Sequence, residues 1–267
     1  MASTDLAALV ARALAPHEAR WLSEEFADPS DLERAVARRL AGEPLQYVIG
    51  HWPFRSLDLV VDENVLIPRP ETEELVDVAL VELAASGVAA PRILDLGCGS
   101  GAIGLALLAE LEERGVLATL VALDASAAAL AVARRNALAH GLSRVSFVVS
   151  SWFDGLDASL RAGFDLVVAN PPYVAASEMD RLDPILAYEP RAALVAPDTA
   201  AAPGFGDLAV IVAEAGEWMS VSSALVLEHG ANQGEAALAA ARAAGFYQVE
   251  DRLDMAGHAR ILVARRS

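Results

Sequence analysis

The Asn-Pro-Pro-Tyr sequence at residues 170–173 directly follows an apolar run, residues 166–169, that is typical of a buried strand. An asparagine at the carboxyl end of a strand can bind a planar amide or amine. The two prolines that follow restrict the backbone, and an aromatic ring comes next. The same sequence also suits a tight turn, because Asn-Pro commonly starts turns and prolines end strands. The candidate catalytic residues are Asn170, Pro171, Pro172 and Tyr173.

A glycine-rich turn upstream joins a predicted strand, residues 92–96, to a helix that starts at Ala102. Its glycines let the backbone approach a ligand closely, and the first N–H groups of the helix are free to bind that ligand. Asp124 ends the next predicted strand, where a carboxylate can accept hydrogen bonds from both hydroxyls of a ribose. The arrangement predicts a nucleoside-binding site. Its candidate residues in and before the turn are Asp95, Gly97, Cys98, Gly99, Ser100 and Gly101.

Three features bear on the identity of the nucleoside, one that leaves it open and two that favour a particular cofactor. Residues 99–104 match the dinucleotide fingerprint, but a lone match of that kind is weak. Asp95 precedes the turn, and its carboxylate suits an ammonium or sulfonium group better than a pyrophosphate. The chain also ends in two predicted strands with no helix between them, which a dinucleotide fold does not need. Both features favour S-adenosylmethionine as the cofactor, and a nicotinamide oxidoreductase is the alternative.

The composition excludes several classes of enzyme. All 20 basic residues are arginine, so no lysine can form a Schiff base with pyridoxal or bind phosphates in a P-loop. The single cysteine, Cys98, excludes an internal disulfide and a cysteine-based zinc cluster, and the five histidines lack the spacing of metal ligands. We therefore expect no metal. The net charge of −17 argues against direct binding of a nucleic acid backbone.

No segment of the sequence predicts membrane insertion or export. The uncharged run at residues 166–177 is too short to span a bilayer, and the N-terminus lacks a basic segment followed by an apolar one. We expect a cytoplasmic protein without membrane contact.

Three regions follow from the local patterns. Apolar residues recur at helical spacing in two places, at Leu6, Leu9, Val10 and Leu14, and again at Leu32, Val36 and Leu40. Two short apolar runs, residues 57–61 and 65–67, flank a polar turn and predict a β-hairpin. The predicted regions are a small helical domain, residues 1–52, a hairpin linker, residues 53–69, and a catalytic domain, residues 70–267.

Predicted helices and strands alternate throughout the third region. The predicted strands cover residues 92–96, 120–124, 145–149, 164–169, 224–228, 246–250 and 260–264. The predicted helices cover residues 71–85, 127–140, 208–218 and 233–244, with one more starting at residue 102. Alternation of this kind predicts an α/β fold, in which helices cover both faces of a parallel sheet. We expect a Rossmann-like, mostly parallel sheet of seven strands that ends in an antiparallel hairpin.

These motifs together resemble the HemK/PrmC family of protein glutamine N(5)-methyltransferases, which modify class I peptide chain release factors. The resemblance covers nearly the whole chain, at residues 42–47, 66–73, 95–101, 170–173, 188–194 and 228–230, at Gln233, and at residues 256–257 before Arg260. Asn-Pro-Pro-Tyr alone would also fit adenine N(6)-methyltransferases of DNA. The Ile-Pro-Arg-Pro-Glu-Thr-Glu run at residues 67–73 is much more specific, and it favours the glutamine enzymes.

The resemblance implies a class I S-adenosylmethionine-dependent methyltransferase whose N-terminal helical domain recognises the substrate. It implies that the glycine turn and Asp124 hold the methionine and ribose, that Trp152 lies against the adenine, and that residues 170–173 hold a glutamine side chain. Asn170 also counts among the expected cofactor contacts. The chain departs from the family at Ser151, where an acidic residue usually precedes the tryptophan, and its N-terminal segment is short for the family.

The implied reaction is methyl transfer to the amide nitrogen of a protein glutamine, with S-adenosylhomocysteine as the second product. The implied partner is a class I peptide chain release factor, modified at the glutamine of its Gly-Gly-Gln sequence. Alternatives are a glutamine of a ribosomal protein, adenine N(6)-methylation of nucleic acid, and a noncatalytic adapter that binds the cofactor.

Three further segments have both a functional and a structural interpretation. Residues 68–73 either line the methyl-transfer cleft or cap the following helix through Thr72 and early acidic residues. Residues 189–191 form a loop near the substrate entrance or supply one side of an Arg–Glu pair. His229 follows a predicted strand, and we expect a structural histidine there rather than a catalytic base.

Overall fold

The structure, a computed structural model, describes residues 14–266. Most of the first predicted helix, including Leu6, Leu9 and Val10, lies outside the described residues. The helices are α1 (Pro16–Glu25), α2 (Pro29–Leu40), α3 (Leu45–Ile49), α4 (Pro70–Ser86), α5 (Ala102–Glu113), α6 (Ala127–Ala139), α7 (Arg191–Leu194), α8 (Gly206–Trp218) and α9 (Gly234–Ala243). Short 3₁₀ turns span Ala158–Leu160, Met179–Arg181 and Pro184–Tyr188.

The strands form one large sheet and two small ones. They are β1 (His51–Phe54), β2 (Leu57–Val60), β3 (Arg92–Leu96), β4 (Thr119–Asp124), β5 (Val145–Val149), β6 (Phe164–Ala169), β7 (Val174–Ala175), β8 (Val195–Ala196), β9 (Met219–Glu228), β10 (Gln248–Leu253) and β11 (Ala259–Arg265). The large sheet has seven strands in the order β10-β11-β9-β6-β3-β4-β5. Strand β11 is antiparallel to both of its neighbours, and the remaining pairs are parallel. The predicted fold class is confirmed.

Alternate residues of the central strands enter two separate cores. Along β6, Leu166 and Val168 pack among α4, α5 and α6, whereas Val167 and Ala169 pack on the opposite face among α8 and α9. This period of two matches the alternation of side chains along a strand. All four side chains are fully buried, as expected for a parallel sheet covered on both faces. Because the central strands are parallel, their carboxyl ends all lie at the same edge of the sheet, between the helices that cover its two faces.

The predicted hairpin is wrong in its pairing. Strand β2 pairs with β1, upstream of it, and Arg55 adopts a left-handed conformation at the turn, with φ of 53°. The apolar residues 65–67 form no strand because side chains satisfy their backbone. The Tyr47 hydroxyl donates to the carbonyl of Val65 over 2.6 Å, and the amide of Ile67 donates to Glu189 over 3.1 Å.

The N-terminal helices form a core of their own. Helix α2 contains the predicted apolar residues Leu32, Val36 and Leu40, and the Asp28 side chain caps its start by accepting hydrogen bonds from the amides of Ser30 and Asp31. The buried residues of this core are Ala19, Leu22, Ala35, Val36, Leu45 and Val48. Within residues 14–266, no helix is both long and apolar enough to cross a membrane.

The remaining predicted elements agree with the structure to within a few residues, with two exceptions. Strand β9 begins at Met219, five residues before the predicted start, and β10 is shifted towards the C-terminus. The local sequence patterns predict neither α1 nor the short α3.

Candidate functional site

A cavity of about 410 Å³ opens at the carboxyl ends of β3, β4 and β6. A crevice at this edge is the usual ligand site of an open α/β sheet. The predicted site residues that line it are Gly97, Cys98, Gly99, Ser100, Asp124, Trp152, Asn170 and Pro172. The structure therefore brings the glycine turn and part of the Asn-Pro-Pro-Tyr segment to one cavity.

The glycine turn has a backbone that only glycine adopts easily. Gly97, Gly99 and Gly101 have φ values of 67°, 55° and 84°, which lie in the left-handed region. A side chain at Gly99 would meet open space, so the turn presents its backbone to the cavity. The side chain of Asn136 supports the turn from α6, since its Nδ2 donates to the carbonyl of Ser100 over 2.9 Å.

Asp124 lies beside the turn at the end of β4. Its Oδ2 accepts from the amide of Gly99 over 2.9 Å, and its Oδ1 accepts from the amide of Ser126 over 2.8 Å. Burial raises the pKa of Asp124 above its usual value. Each carboxylate oxygen can accept a second hydrogen bond, so Asp124 keeps acceptor capacity for ligand hydroxyls.

Asp95 does not line the cavity, which departs from the direct contact expected from the sequence. Its side chain is fully buried and turned towards α5, where Oδ2 accepts from the amide of Gly104 over 2.9 Å. Its Oδ1 has no hydrogen-bond partner among the described residues. Burial raises the pKa of Asp95 to about 7. The carboxylate thus lies beneath the glycine turn rather than at its surface.

Trp152 forms one wall of the cavity in a strained conformation, with φ of 44°. The Ser150 hydroxyl donates to the carbonyl of Trp152 over 2.8 Å and accepts from the amide of Gly155 over 2.7 Å, which holds this turn. The indole Nε1 donates to Asp207 over 3.2 Å. Asp207, in the first turn of α8, also lines the cavity, and burial raises its pKa.

Asn170 connects the cavity to a buried carboxylate. Its Nδ2 donates to the hydroxyl of Thr72 over 3.1 Å, and that hydroxyl donates to Glu228 Oε2 over 2.7 Å. Glu228 is 2% exposed, and burial raises its pKa. Asn170 Oδ1 has no partner within residues 14–266 and remains available to a ligand.

Pro171 and Tyr173 do not line the cavity, unlike Asn170 and Pro172. The Tyr173 side chain turns away, and its hydroxyl donates to Glu228 Oε1 over 3.3 Å. Of the four candidate catalytic residues, the structure therefore places Asn170 and Pro172 at the cavity and Tyr173 beside Glu228. Gln233 fixes the backbone here, since its Nε2 donates to the carbonyl of Tyr173 over 3.1 Å.

Gly101 is a further predicted residue outside the lining of the cavity. It precedes α5 and is buried, and a side chain there would collide with Leu105. Its place in the turn is structural. In the described part of the chain, no group of three or more histidine, cysteine, aspartate or glutamate residues has the arrangement of a metal site.

Comparison with known proteins shows the family. The methyltransferase small domain matches residues 76–186. The release factor glutamine methyltransferase of Bordetella pertussis is 41% identical over 98% of this chain and 96% of its own length. The corresponding protein of Burkholderia pseudomallei is 39% identical over 95% of this chain and 90% of its own length.

The chain belongs to the release factor glutamine methyltransferase family. The resemblance noted in the sequence is thereby confirmed, and the protein is a methyltransferase. A methyltransferase from Pyrococcus furiosus has the same fold, with a TM-score of 0.54 at 14% identity over 88% of this chain and 99% of that one.

Three polar residues of this methyltransferase site have contacts that the sequence does not specify. For Thr72 the sequence allows a place in the cleft or a helix cap, and in the structure its hydroxyl donates to Glu228 while α4 begins without a side-chain cap. Glu228 ends a predicted strand, which is where site residues of such sheets occur, and this signal was available. Asp207 carries no local signal, because only the tertiary fold brings it to Trp152.

The structure distinguishes between the two interpretations of the remaining segments. Pro68, Arg69 and Thr72 line the cavity and no side chain caps α4, so the run at residues 68–73 belongs to the site rather than to a helix cap. Glu189 forms an ion pair with Arg69 beside that cavity. His229 is structural, as predicted, because its ring bonds the carbonyl of Gly230 and Asp251 over 2.9 and 3.0 Å.

Proposed function

We propose that this methyltransferase transfers a methyl group from S-adenosylmethionine to the side-chain amide nitrogen of a glutamine in a class I peptide chain release factor. The observation that carries the proposal is the unpartnered Oδ1 of Asn170 in the same cavity as the glycine turn. It is supported by the names of relatives that match nearly the whole chain. We further propose that the reaction takes place in the cytoplasm.

The residues of the cavity fit the proposed cofactor. The backbone of Gly97 and Gly99 is accessible, Asp124 keeps acceptor capacity for ribose hydroxyls, and the Trp152 ring offers an apolar face for adenine. The buried carboxylate of Asp95, with one unpartnered oxygen beneath the turn, favours a ligand that carries positive charge. When bound, S-adenosylmethionine supplies an electrophilic methyl group on a sulfonium.

Asn170 orients the substrate amide for attack on the methyl group. An amide nitrogen is a poor nucleophile, because its lone pair is delocalised into the carbonyl. Asn170 Oδ1 and a carbonyl of the adjoining proline backbone accept hydrogen bonds from the two N–H groups of the glutamine amide. These two bonds fix the direction in which the nitrogen lone pair points. Prolines restrict the movement of that carbonyl. Correct positioning of two reactants contributes about 7–11 kcal/mol in well-oriented reactions.

The chemistry requires no strong base in the protein. The substrate amide nitrogen that received the methyl group would carry a positive charge and would lose its proton readily to solvent water. This accounts for an arrangement in which hydrogen-bond acceptors, rather than a general base, face the substrate.

Incubation with radiolabelled S-adenosylmethionine and a purified class I release factor tests the proposal. We expect label in the protein, and mass spectrometry should map it to the glutamine of the Gly-Gly-Gln sequence. A release factor whose glutamine is replaced by alanine is the matched control and should remain unlabelled. Label that enters only nucleic acid, or only another protein, would overturn the proposal.

A further inference from the structure

Glu228 is a buried carboxylate behind the candidate substrate site. It ends β9, and its two oxygens receive two different hydroxyl groups, Oε2 that of Thr72 and Oε1 that of Tyr173. Burial raises the pKa of Glu228, the hydrogen bonds from these two hydroxyls and the positive charge of Arg260 oppose that rise, and Glu71 adds to it. The geometry makes Glu228 the acceptor of a hydrogen bond from each of these two hydroxyls.

The hydrogen bond to Glu228 determines whether the Thr72 hydroxyl donates to Asn170 or accepts from it. A threonine hydroxyl has one proton, and the 2.7 Å bond to the carboxylate uses it. Thr72 can then only accept a hydrogen bond from Asn170. The 3.1 Å contact must be made by the amide nitrogen of Asn170, since the amide oxygen has no proton to give.

The orientation of the Asn170 amide follows from this chain of bonds. The two ends of an asparagine amide have nearly the same shape but opposite hydrogen-bonding character. With the nitrogen turned to Thr72, the oxygen faces the cavity. A rotation by half a turn would place two amide protons in the cavity and leave two acceptor oxygens, on Asn170 and Thr72, facing each other.

We propose that Glu228 and Thr72 are positioning residues that keep the Asn170 oxygen facing the substrate, and that they thereby make the site select glutamine over glutamate. This inference rests on the proposed function, since it concerns the same substrate side chain. Neither residue needs to touch the reacting atoms. Both act through Asn170.

Selection follows from the number of protons that each substrate offers. A glutamine amide has two N–H groups for two acceptors, the Asn170 oxygen and the proline carbonyl. A glutamate carboxylate of the same shape has none at neutral pH, and its oxygens would face acceptors. Sites built to bond a substrate N–H or O–H reject analogues that lack it by large factors, about 10⁴–10⁵ in favourable cases. If the amide of Asn170 could turn, part of this selection would be lost.

The decisive variant is Thr72→Val, which keeps the branched shape and removes the hydroxyl. Affinities are measured by calorimetry, with S-adenosylhomocysteine present, for a purified release factor and for the same factor with glutamate in place of its glutamine. We expect the preference for glutamine to fall at least about tenfold in Thr72→Val, which corresponds to about one lost orienting interaction. Thr72→Ser keeps the hydroxyl and should retain the preference.

A purely structural role for Thr72 predicts a different result. Both affinities would then fall by the same factor in Thr72→Val, and an unchanged preference would overturn the inference. Glu228→Gln provides an independent variant. Its amide can donate to the Thr72 oxygen, which frees the Thr72 proton to bond Asn170, so the Asn170 amide is no longer held in one orientation. It should lower the same preference. A folded Glu228→Gln protein that kept the full preference for glutamine would also overturn the inference.

Failure of the inference is distinguishable from failure of the proposed function. If the unaltered enzyme methylates no release factor, the proposed function fails. If it methylates the factor and prefers glutamine, and Thr72→Val keeps the full preference, only the positioning role fails. Affinity for S-adenosylhomocysteine alone should be unchanged in Thr72→Val, which verifies that the cofactor site has kept its structure.

Discussion

Arg69 and Glu189, 120 positions apart in the chain, form an ion pair at the edge of the cavity, with Arg69 Nη2 and Glu189 Oε1 2.5 Å apart. The Glu189 side chain is 1% exposed and also accepts from the amide of Ile67 over 3.1 Å. One carboxylate thus fixes both the backbone and the side chain of the segment that leads into α4. This explains why a polar group is tolerated in so buried a position.

Replacement of Glu189 should destabilise the fold. In Glu189→Ala the buried amide of Ile67 loses its acceptor, which costs about 1–3 kcal/mol. Glu189→Gln keeps an acceptor oxygen and should lose less. Urea unfolding measures both free energies. Arg191→Ala, at an exposed position nearby, is the control and should change stability by no more than about 0.5 kcal/mol. Equal stability of Glu189→Ala and the unaltered protein would contradict this account.

Asn170 and Asp124 should separate catalysis from cofactor binding. Asn170→Ala removes the acceptor for the substrate amide, so methyl transfer should be abolished while affinity for S-adenosylhomocysteine stays within about twofold, because cofactor contacts elsewhere persist. Radiolabel transfer and calorimetry measure the two effects. Parallel loss of activity and cofactor affinity would mean that Asn170 mainly shapes the cofactor site.

Asp124→Ala should show the converse behaviour. It removes the proposed ribose contact and the acceptor that holds the amide of Gly99. Hydrogen bonds to a charged group contribute about 1.5–3 kcal/mol, so affinity for S-adenosylhomocysteine should fall about 10- to 100-fold. Asp154→Ala is the control, because it removes an exposed carboxylate from the loop that carries Trp152 and should leave the affinity for S-adenosylhomocysteine unchanged. Unchanged affinity in the Asp124 variant would refute its role at the ribose.

Asp207 should matter for the cofactor through Trp152. In Asp207→Ala the indole loses the acceptor 3.2 Å away, and the ring is no longer fixed against the cavity. A hydrogen bond to a charged group contributes about 1.5–3 kcal/mol, and the lower end of that range corresponds to a roughly tenfold loss of affinity for S-adenosylhomocysteine in calorimetry. Glu214→Ala, on the exposed side of the same helix, should leave affinity unchanged. Equal affinity in both variants would show that the Trp152 ring needs no anchor.

Features that depend on neighbouring residues are predictable from the sequence, and contacts between distant positions are not. The glycine turn and Asp124 were predictable, because both lie next to strand ends whose periodicity is local. The bonds from Thr72 to Asn170 and Glu228 span 98 and 156 positions. No local pattern encodes such a contact. It depends on the order of strands in the sheet, which places β9 beside β6.

The wrong pairing of the hairpin has a similar cause. The run at residues 65–67 has the apolar composition of a strand, but its backbone partners are the distant side chains of Tyr47 and Glu189. Asp95 was misplaced for another reason. Its position before a glycine turn indicates a ligand contact, and only the packing of α5 shows that the carboxylate points beneath the turn.

Asp95 should make stability depend on pH in a defined direction. Burial raises its pKa to about 7 in the folded protein, against about 3.9 in an unfolded chain. Between these values the folded state holds a proton that the unfolded state releases, so the stabilising contribution is complete below pH 4 and is lost as the pH rises through 7. Stability due to this group therefore declines with rising pH, by at most about 1.4 kcal/mol per pH unit.

Asp95→Asn removes the titration and tests this sign. Urea unfolding at pH 5, 6, 7 and 8 should show the variant gaining stability relative to the unaltered protein as the pH rises, with most of the change below pH 7. Asp154→Asn makes the same substitution at an exposed position and is the matched control. Parallel curves for Asp95→Asn and the unaltered protein would mean that the carboxylate ionises in the folded state as readily as in water. The unpartnered Oδ1 would then need a polar neighbour that stabilises its charge.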